Sequence, residues 1–447
     1  MFLRFLLAVF ILLLPPQAYA QSADMVIVRD TEVEDYLKAW SKPLIQAAGL
    51  SPETVRFILV QSPDLNAFVA GGPNIFIYTG LIERTKTPNE LLGVTAHELG
   101  HISGGHLIRA RGAMENASFE AILGTVLGLG VAALTGEGGA ASAGAMLGQS
   151  VGMTNYLHFS RTQEASADQA AMRFLASADM SSKGFLEFFK TLEDQELLPA
   201  GQQNAYVRTH PLTRDRITTI EARLQGGDTG VMDNKTRIEQ HKLMRAKLIG
   251  YTKPQQVNSY YPANDTSVAA RYAHAIALYR KDSHASAISL MDGLLKEAPA
   301  NPYFKEQQAQ ILFASGKVNE SIALYRAALG ALPHSAFIRM DLAQALLSRP
   351  QATQQELQEV IALLKRAKQD EPRMPKIYRL LATAYGRAGD EKTAHLNLAE
   401  EAFLKKDKKR TKELVKRLEG AFPAGSREYI QLQDLLQQIK TAENDED

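Results

Sequence analysis

The sequence predicts an α+β chain, mostly helical, in two parts: an N-terminal domain with a small sheet, followed by an all-α repeat solenoid. Three observations predict this. Residues 21–225 mix strand-like and helix-like segments, whereas from about residue 265 the strand signals give way to Ala and Leu at helical spacing. That second stretch also aligns with itself: Ala275, Leu278, Ile288, Leu290 and Leu295, shifted by 34 positions, fall on Ala309, Leu312, Ile322, Leu324 and Leu329, and Pro299 falls on Pro333. Finally, 447 residues of which 45% are hydrophobic and 22% charged make a globular composition, long enough for two or three domains.

Residues 1–20 stand apart. Arg4, an unbroken apolar run from Phe5 to Leu14, Pro15-Pro16 and then Ala18-Tyr19-Ala20 read as a cleavable secretory signal, which implies export. The run is too short to cross a hydrocarbon core of about 30 Å as a helix. With Arg4 removed, the 50 basic side chains fall to 49 against 49 acidic ones, and a neutral chain has no electrostatic case for nucleic acid. There is no Cys, so disulfides and thiolate metal sites are excluded and any metal must be held by His and carboxylate.

The domain at 21–225 opens with candidate strands. Residues 65–80 read as two strands around Gly71-Gly72, with β-branched and aromatic residues in the second. Thr87-Pro88-Asn89-Glu90 is a capping box with Pro at the first helical position, so a helix should start at Pro88. Residues 121–156 are uncharged except for Glu137 and rich in Gly and Ala; they read as two short helices beside the cleft, a candidate lid, with contact to a membrane as the second reading. Residues 226–264 read as a linker with one embedded helix, Lys235 to Leu248.

From 265 to 440 the 34-residue period marks a helix-turn-helix repeat. It resembles the tetratricopeptide repeat, with Pro closing each second helix. The third unit is stretched by a longer loop at Ser348 to Glu356, and a degenerate helical pair runs from about Lys408 to Lys440. Such units bury their apolar faces against neighbours and leave a concave surface suited to peptides or partner proteins. The basic run Lys405, Lys406, Lys408, Lys409, Arg410 reads as a solvated helix face, the alternative being a docking patch for an anionic partner or lipid head group. Residues 441–447 form an acidic tail.

The chemistry sits on the helix that starts at Pro88. His97-Glu98-Leu99-Gly100-His101 places two imidazoles four residues apart on one helix face, where they can share a tetrahedral zinc. Glu98 flanks such a metal within reach of a water whose proton it can accept. His106, five residues past His101, points away on a continued helix and reads as a surface or satisfied histidine. A third ligand is needed. Glu164 and Asp168 lie four apart on a second helix: Glu164 can bind zinc while Asp168 accepts the spare N–H of a ligand His, or both are simply acids favoured by the helix dipole. Spacing alone does not decide between these.

The combination of His97-Glu98-Leu99-Gly100-His101 with Phe159-Ser160-Arg161-x-x-Glu164-x-x-x-Asp168 and His210-Pro211 resembles the zinc metalloendopeptidases that include HtpX and the CAAX prenyl protease. With an export signal in front and tetratricopeptide repeats behind, the whole chain is similar to the periplasmic β-barrel assembly-enhancing proteases of Gram-negative bacteria. The resemblance implies a zincin-type metallopeptidase domain holding one zinc ion (Zn2+) per chain through His97, His101 and Glu164. It gives Glu98 the role of general base and makes Asp168 the outer partner of a ligand. It places His210 near the metal, where an imidazole either steadies the oxyanion of the intermediate or occupies the open zinc position and silences the enzyme. Arg214 and Arg216 read as surface charges. The resemblance further implies that an edge strand within 65–80 pairs with the scissile peptide, that clients are unfolded or stalled outer-membrane β-barrel proteins, and that the repeats contact the assembly machinery. The rival reading is a chaperone or scaffold whose metal site is latent.

Overall fold

The computed structural model describes residues 26–106, 161–193, 198, 203–228 and 230–444. The expected signal at 1–20 and the uncharged stretch 121–156 lie outside the described residues, as do Phe159 and Ser160.

Strands β1 (Val26–Val28), β2 (Arg56–Gln61), β3 (Ala67–Ala70) and β4 (Asn74–Tyr78) form one sheet in the order β1-β2-β4-β3. β2 pairs with β4 in parallel, and the other two pairings are antiparallel. The apolar run of β4, Ile75-Phe76-Ile77, is buried throughout, as a strand with neighbours on both sides requires. β3 closes one edge as the first arm of the hairpin read from residues 65–80. Tyr78 donates its N–H to the Asn66 carbonyl, so by antiparallel alternation Ala67 and Val69 turn their own N–H and C=O groups to the open edge.

Helix α1 (Thr31–Ala47), capped by the Asp30 carboxylate, joins β1 to β2, and α2 (Thr79–Arg84) follows β4. Then comes α3 (Pro88–Ser103). Thr87 caps α3, its hydroxyl accepting from the Glu90 N–H at 3.2 Å with Pro88 in the first position. The Glu90 carboxylate reaches one residue further back than a capping box needs and accepts from the Lys86 N–H at 2.8 Å. Helices α4 (Arg161–Ser177) and α5 (Lys183–Leu192) pack on α3, and α6 (Ala205–Thr209) and α7 (Arg214–Gln225) follow.

The segment read as a linker carries α8 (Lys235–Thr252), one turn longer than its sequence suggests, then the short α9 (Val257–Tyr260). Helix α8 is part of the packed body: Met244 and Leu248 join the core of the N-terminal unit. Its polar residues are buried because they are paired. His241 Nε2 lies 2.9 Å from Thr85 Oγ1, and Lys247 Nζ 2.7 Å from Asp30.

The repeats follow as helix pairs: α10 (Val268–Arg280) with α11 (His284–Glu297), α12 (Pro302–Ala314) with α13 (Val318–Ala331), α14 (Ala336–Leu347) with α15 (Gln354–Asp370), and α16 (Pro375–Arg387) with α17 (Glu391–Leu404). Helices α18 (Lys408–Arg417) and α19 (Arg427–Asn444) make the last pair, so the acidic tail begins inside α19. The first helices of successive units grip α1. Tyr272 donates to Glu32 at 2.9 Å and Tyr303 to Asp35 at 3.1 Å; just before α1, Arg29 holds Glu371, the residue after α15, with two bonds of 2.6 and 2.7 Å. Part of the surface that the repeat pattern offers to partners is therefore covered by the chain's own first helix.

Candidate metal centre

Helix α3 puts His97 and His101 one turn apart, and both side chains are fully buried. Their Nε2 atoms lie 3.0 Å from each other. Helix α4 crosses this face closely enough to bring Glu164 in, with Oε1 3.2 Å from His101 Nε2 and Oε2 3.3 Å from His97 Nε2. The crossing depends on Gly100. A Cβ there would stand 2.7 Å from the Ala167 carbonyl oxygen and 2.9 Å from its Cα, so only glycine lets the two backbones approach this far. The pentad thus supplies both the two imidazoles and the notch through which the carboxylate arrives.

His210, at the C-terminal end of α6, completes the group. Its Nδ1 lies 3.2 Å from Glu164 Oε1 and 3.4 Å from His97 Nε2. One donor atom from each of His97, His101, Glu164 and His210 falls within 4.8 Å of the others, all four residues being buried. His210 Nε2 is 3.1 Å from the Ala67 carbonyl on the outer edge of β3, and its ring stacks on Tyr206 at 4.7 Å.

Asp168 lies behind His97, with Oδ1 2.9 Å from Nδ1, the nitrogen that faces away from the cluster. Glu98 projects into the cluster from the other side. Neither of its carboxylate oxygens has a hydrogen-bond partner in the described structure, and His210 Nε2 is 3.5 Å away.

Two residues depart from the sequence expectation. Arg216, read as a surface charge, is buried: Nε and Nη2 bond Asp168 at 2.6 and 2.8 Å, Nη1 meets Glu164 Oε2 at 2.9 Å, and Nη1 also donates to the Pro211 carbonyl at 2.8 Å. Two buried carboxylates demand a cation, and the turn after His210 delivers this one. Arg161 shares the α4 face with the two acids by spacing, so the pattern along the chain carries no signal for Arg216. Arg214, two residues earlier, is exposed as expected. His106 departs in direction only: it is a satisfied histidine, as one half of the reading had it, but α3 stops at Ser103 and the ring folds back with Nδ1 3.0 Å from His101 Nδ1.

The electrostatics follow from this packing. Burial alone would push Glu164 and Asp168 up, but His210 and Arg216 hold Glu164 well below the usual carboxylate range, and Arg216 with His97 lowers Asp168. Burial pushes Glu98 up, only partly opposed by His210 and His97. For His97, burial is outweighed by Asp168 and Glu164, which hold it up to about 9; for His101 burial wins and lowers it to about 3, keeping that imidazole neutral.

Two neutral-capable imidazoles, an ionised carboxylate and a further imidazole, all buried and converging beside a carboxylate without a hydrogen-bond partner, are a donor set that fits a divalent metal with an acid–base group next to it. That set, on a helix carrying His-Glu-x-x-His, defines a metallopeptidase. Residues 31–224 match the model of peptidase family M48, and the chain is a metalloendopeptidase. It is 24% identical over 380 residues to the β-barrel assembly-enhancing protease of Yersinia pestis, covering 82% of this chain and 75% of the relative. It is 27% identical over 177 residues to the metalloprotease LoiP of Escherichia coli, covering 39% and 65%. Among solved structures, a tetratricopeptide-repeat protein of Thermus thermophilus aligns with 36% of this chain and 95% of its own, at 17% identity and a TM-score of 0.27. No described helix is long and apolar enough to cross a membrane.

Proposed function

We propose that the chain is a periplasmic zinc endopeptidase that cleaves extended segments of unfolded or stalled outer-membrane β-barrel proteins, with the free part of its repeat surface engaging clients or their assembly machinery. The observation that carries the reading is the four-donor group beside the unpartnered Glu98. The client class is taken from the relative of Yersinia pestis, whose name assigns it to β-barrel assembly.

In this reading His97, His101 and Glu164 hold the ion, which when bound acts as a Lewis acid on the scissile carbonyl and makes water acidic enough to react near neutral pH. Asp168 accepts the Nδ1 proton of His97 and fixes its tautomer. Glu98 takes a proton from the attacking water and passes it to the leaving amine; its raised pKa, set by burial, suits both halves of that task. Arg216 neutralises the carboxylates of Glu164 and Asp168, which leaves Glu98 as the titrating acid of the pocket.

The peptide would lie along the outer edge of β3, pairing with Val69 and Ala67 as an added strand, which only an extended segment can do. His210 stands against this in two ways at once: Nδ1 fills the fourth donor position and Nε2 covers the Ala67 carbonyl. We therefore assign His210 the blocking role in the arrangement seen, rather than the oxyanion role. The same observation favours a second reading, a scaffold whose metal site stays latent. Metal analysis and casein degradation by wild type and Glu98→Gln separate the two. A variant that keeps its ion and loses cleavage supports the endopeptidase; if it also supports outer-membrane assembly in full, the scaffold reading stands.

A further inference from the structure

His106 has no part in the chemistry just described, yet the chain goes to some length to bring it to the metal centre. Helix α3 ends at Ser103, Gly105 takes φ +63° and turns the backbone, and His106 returns beneath the last helical turn with 3% of its surface exposed. Gly104 leaves the room for it: a Cβ there would stand 2.6 Å from His106 Nε2 and 3.0 Å from Cδ2. The two rings meet edge to face at 77°, their centroids 5.0 Å apart, with Nδ1 3.0 Å from Nδ1.

The tautomers follow from which nitrogens face the cluster. His101 turns Nε2 toward His97 and Glu164, so as a metal ligand it keeps its lone pair there and its proton on Nδ1. That proton points at His106 Nδ1, which must accept it and therefore carries its own proton on Nε2. A ligand imidazole needs an acceptor behind it to fix ring orientation and tautomer. Behind His97 the Asp168 carboxylate lies 2.9 Å from Nδ1; behind His101 the facing group is an imidazole. We infer that His106 is a positioning residue that holds His101 in its metal-binding tautomer and orientation, through a His-to-His hydrogen bond seated by Gly104. The inference rests on the reading of His97, His101 and Glu164 as ligands.

The test is zinc affinity of the full chain, measured by competition with a chromophoric chelator for wild type, His106→Leu, His106→Asn and Gly104→Ala, each checked for folding by circular dichroism. Loss of an outer partner weakens metal binding by roughly 10- to 100-fold. His106→Leu, which fills the space without an acceptor, should show that loss, and His106→Asn, whose amide oxygen accepts the same proton, should recover part of it. Gly104→Ala, which displaces the His106 ring and alters no ligand, should resemble His106→Leu. Wild-type affinity in His106→Leu overturns the inference and assigns the residue to packing alone. Wild-type protein without stoichiometric ion overturns the ligand assignment itself, and the inference with it.

Discussion

Arg216 holds Asp168 by both carboxylate oxygens, at 2.6 and 2.8 Å, in the fork-to-fork geometry only a guanidinium offers. The same side chain reaches Glu164 and the Pro211 carbonyl, so one buried cation ties together helix α4, helix α7 and the turn that carries His210. Arg216→Met leaves two buried carboxylates unpaired and should cost about 3–5 kcal/mol of stability, readable by urea unfolding. Arg216→Lys keeps the charge but not the fork and should fall between. A loss below about 1 kcal/mol for Arg216→Met would mean that the carboxylates are compensated elsewhere.

Glu98→Gln removes the proton acceptor and no donor of the four-atom group. Zinc content and thermal midpoint should stay near wild type while kcat falls by about 100- to 10,000-fold, the range of a lost general base. Retained cleavage would assign the base role elsewhere.

His210→Ala frees both the fourth donor position and the Ala67 edge carbonyl. Casein cleavage should rise, by about tenfold if the imidazole's hold on the site is worth about 1.4 kcal/mol. A fall in kcat with unchanged KM would instead give His210 the oxyanion role.

Gly100→Ala should push α4 away from α3, because its Cβ has no room against Ala167. Overpacking of this kind costs about 1–3 kcal/mol, within what the fold can absorb. The Glu164 carboxylate moves with α4, so zinc affinity should drop more than stability does. Unchanged affinity would show that the helix crossing has slack.

The interface between α1 and the repeats carries a pH dependence of its own. Burial pushes the Glu306 carboxyl, which accepts from Thr31 at 3.1 Å, up to about 8 against an ordinary 4.5, and Lys247 only partly opposes this. Between those values the folded chain keeps a proton that the unfolded chain has released. Stability from this group is thus full below about 4.5 and is lost as pH climbs toward 8. The thermal midpoint of wild type should therefore decline from about pH 5 to pH 8 more steeply than that of Glu306→Gln. Parallel curves would place a charged carboxylate in the folded state.

Local pattern was enough for much of this molecule. The start of α3 at Pro88 was legible because its cap is made by adjacent residues, and the repeat helices because Val268, Pro302 and Ala336 open successive units at the period the sequence shows. The pairing of His97 with His101 was legible because one helical turn fixes it. The 34-residue register, the cap and the His-Glu-x-x-His spacing depend on contacts within a few residues, and for those the sequence alone sufficed. Whether Glu164 comes within reach of the two imidazoles, whether Arg216 faces water or two carboxylates, and where His106 points were decided by tertiary structure. Each depends on a helix crossing or a reversed turn, such as Gly100 against Ala167 or the turn at Gly105, that brings together residues whose distance along the chain carries no information about their distance in space.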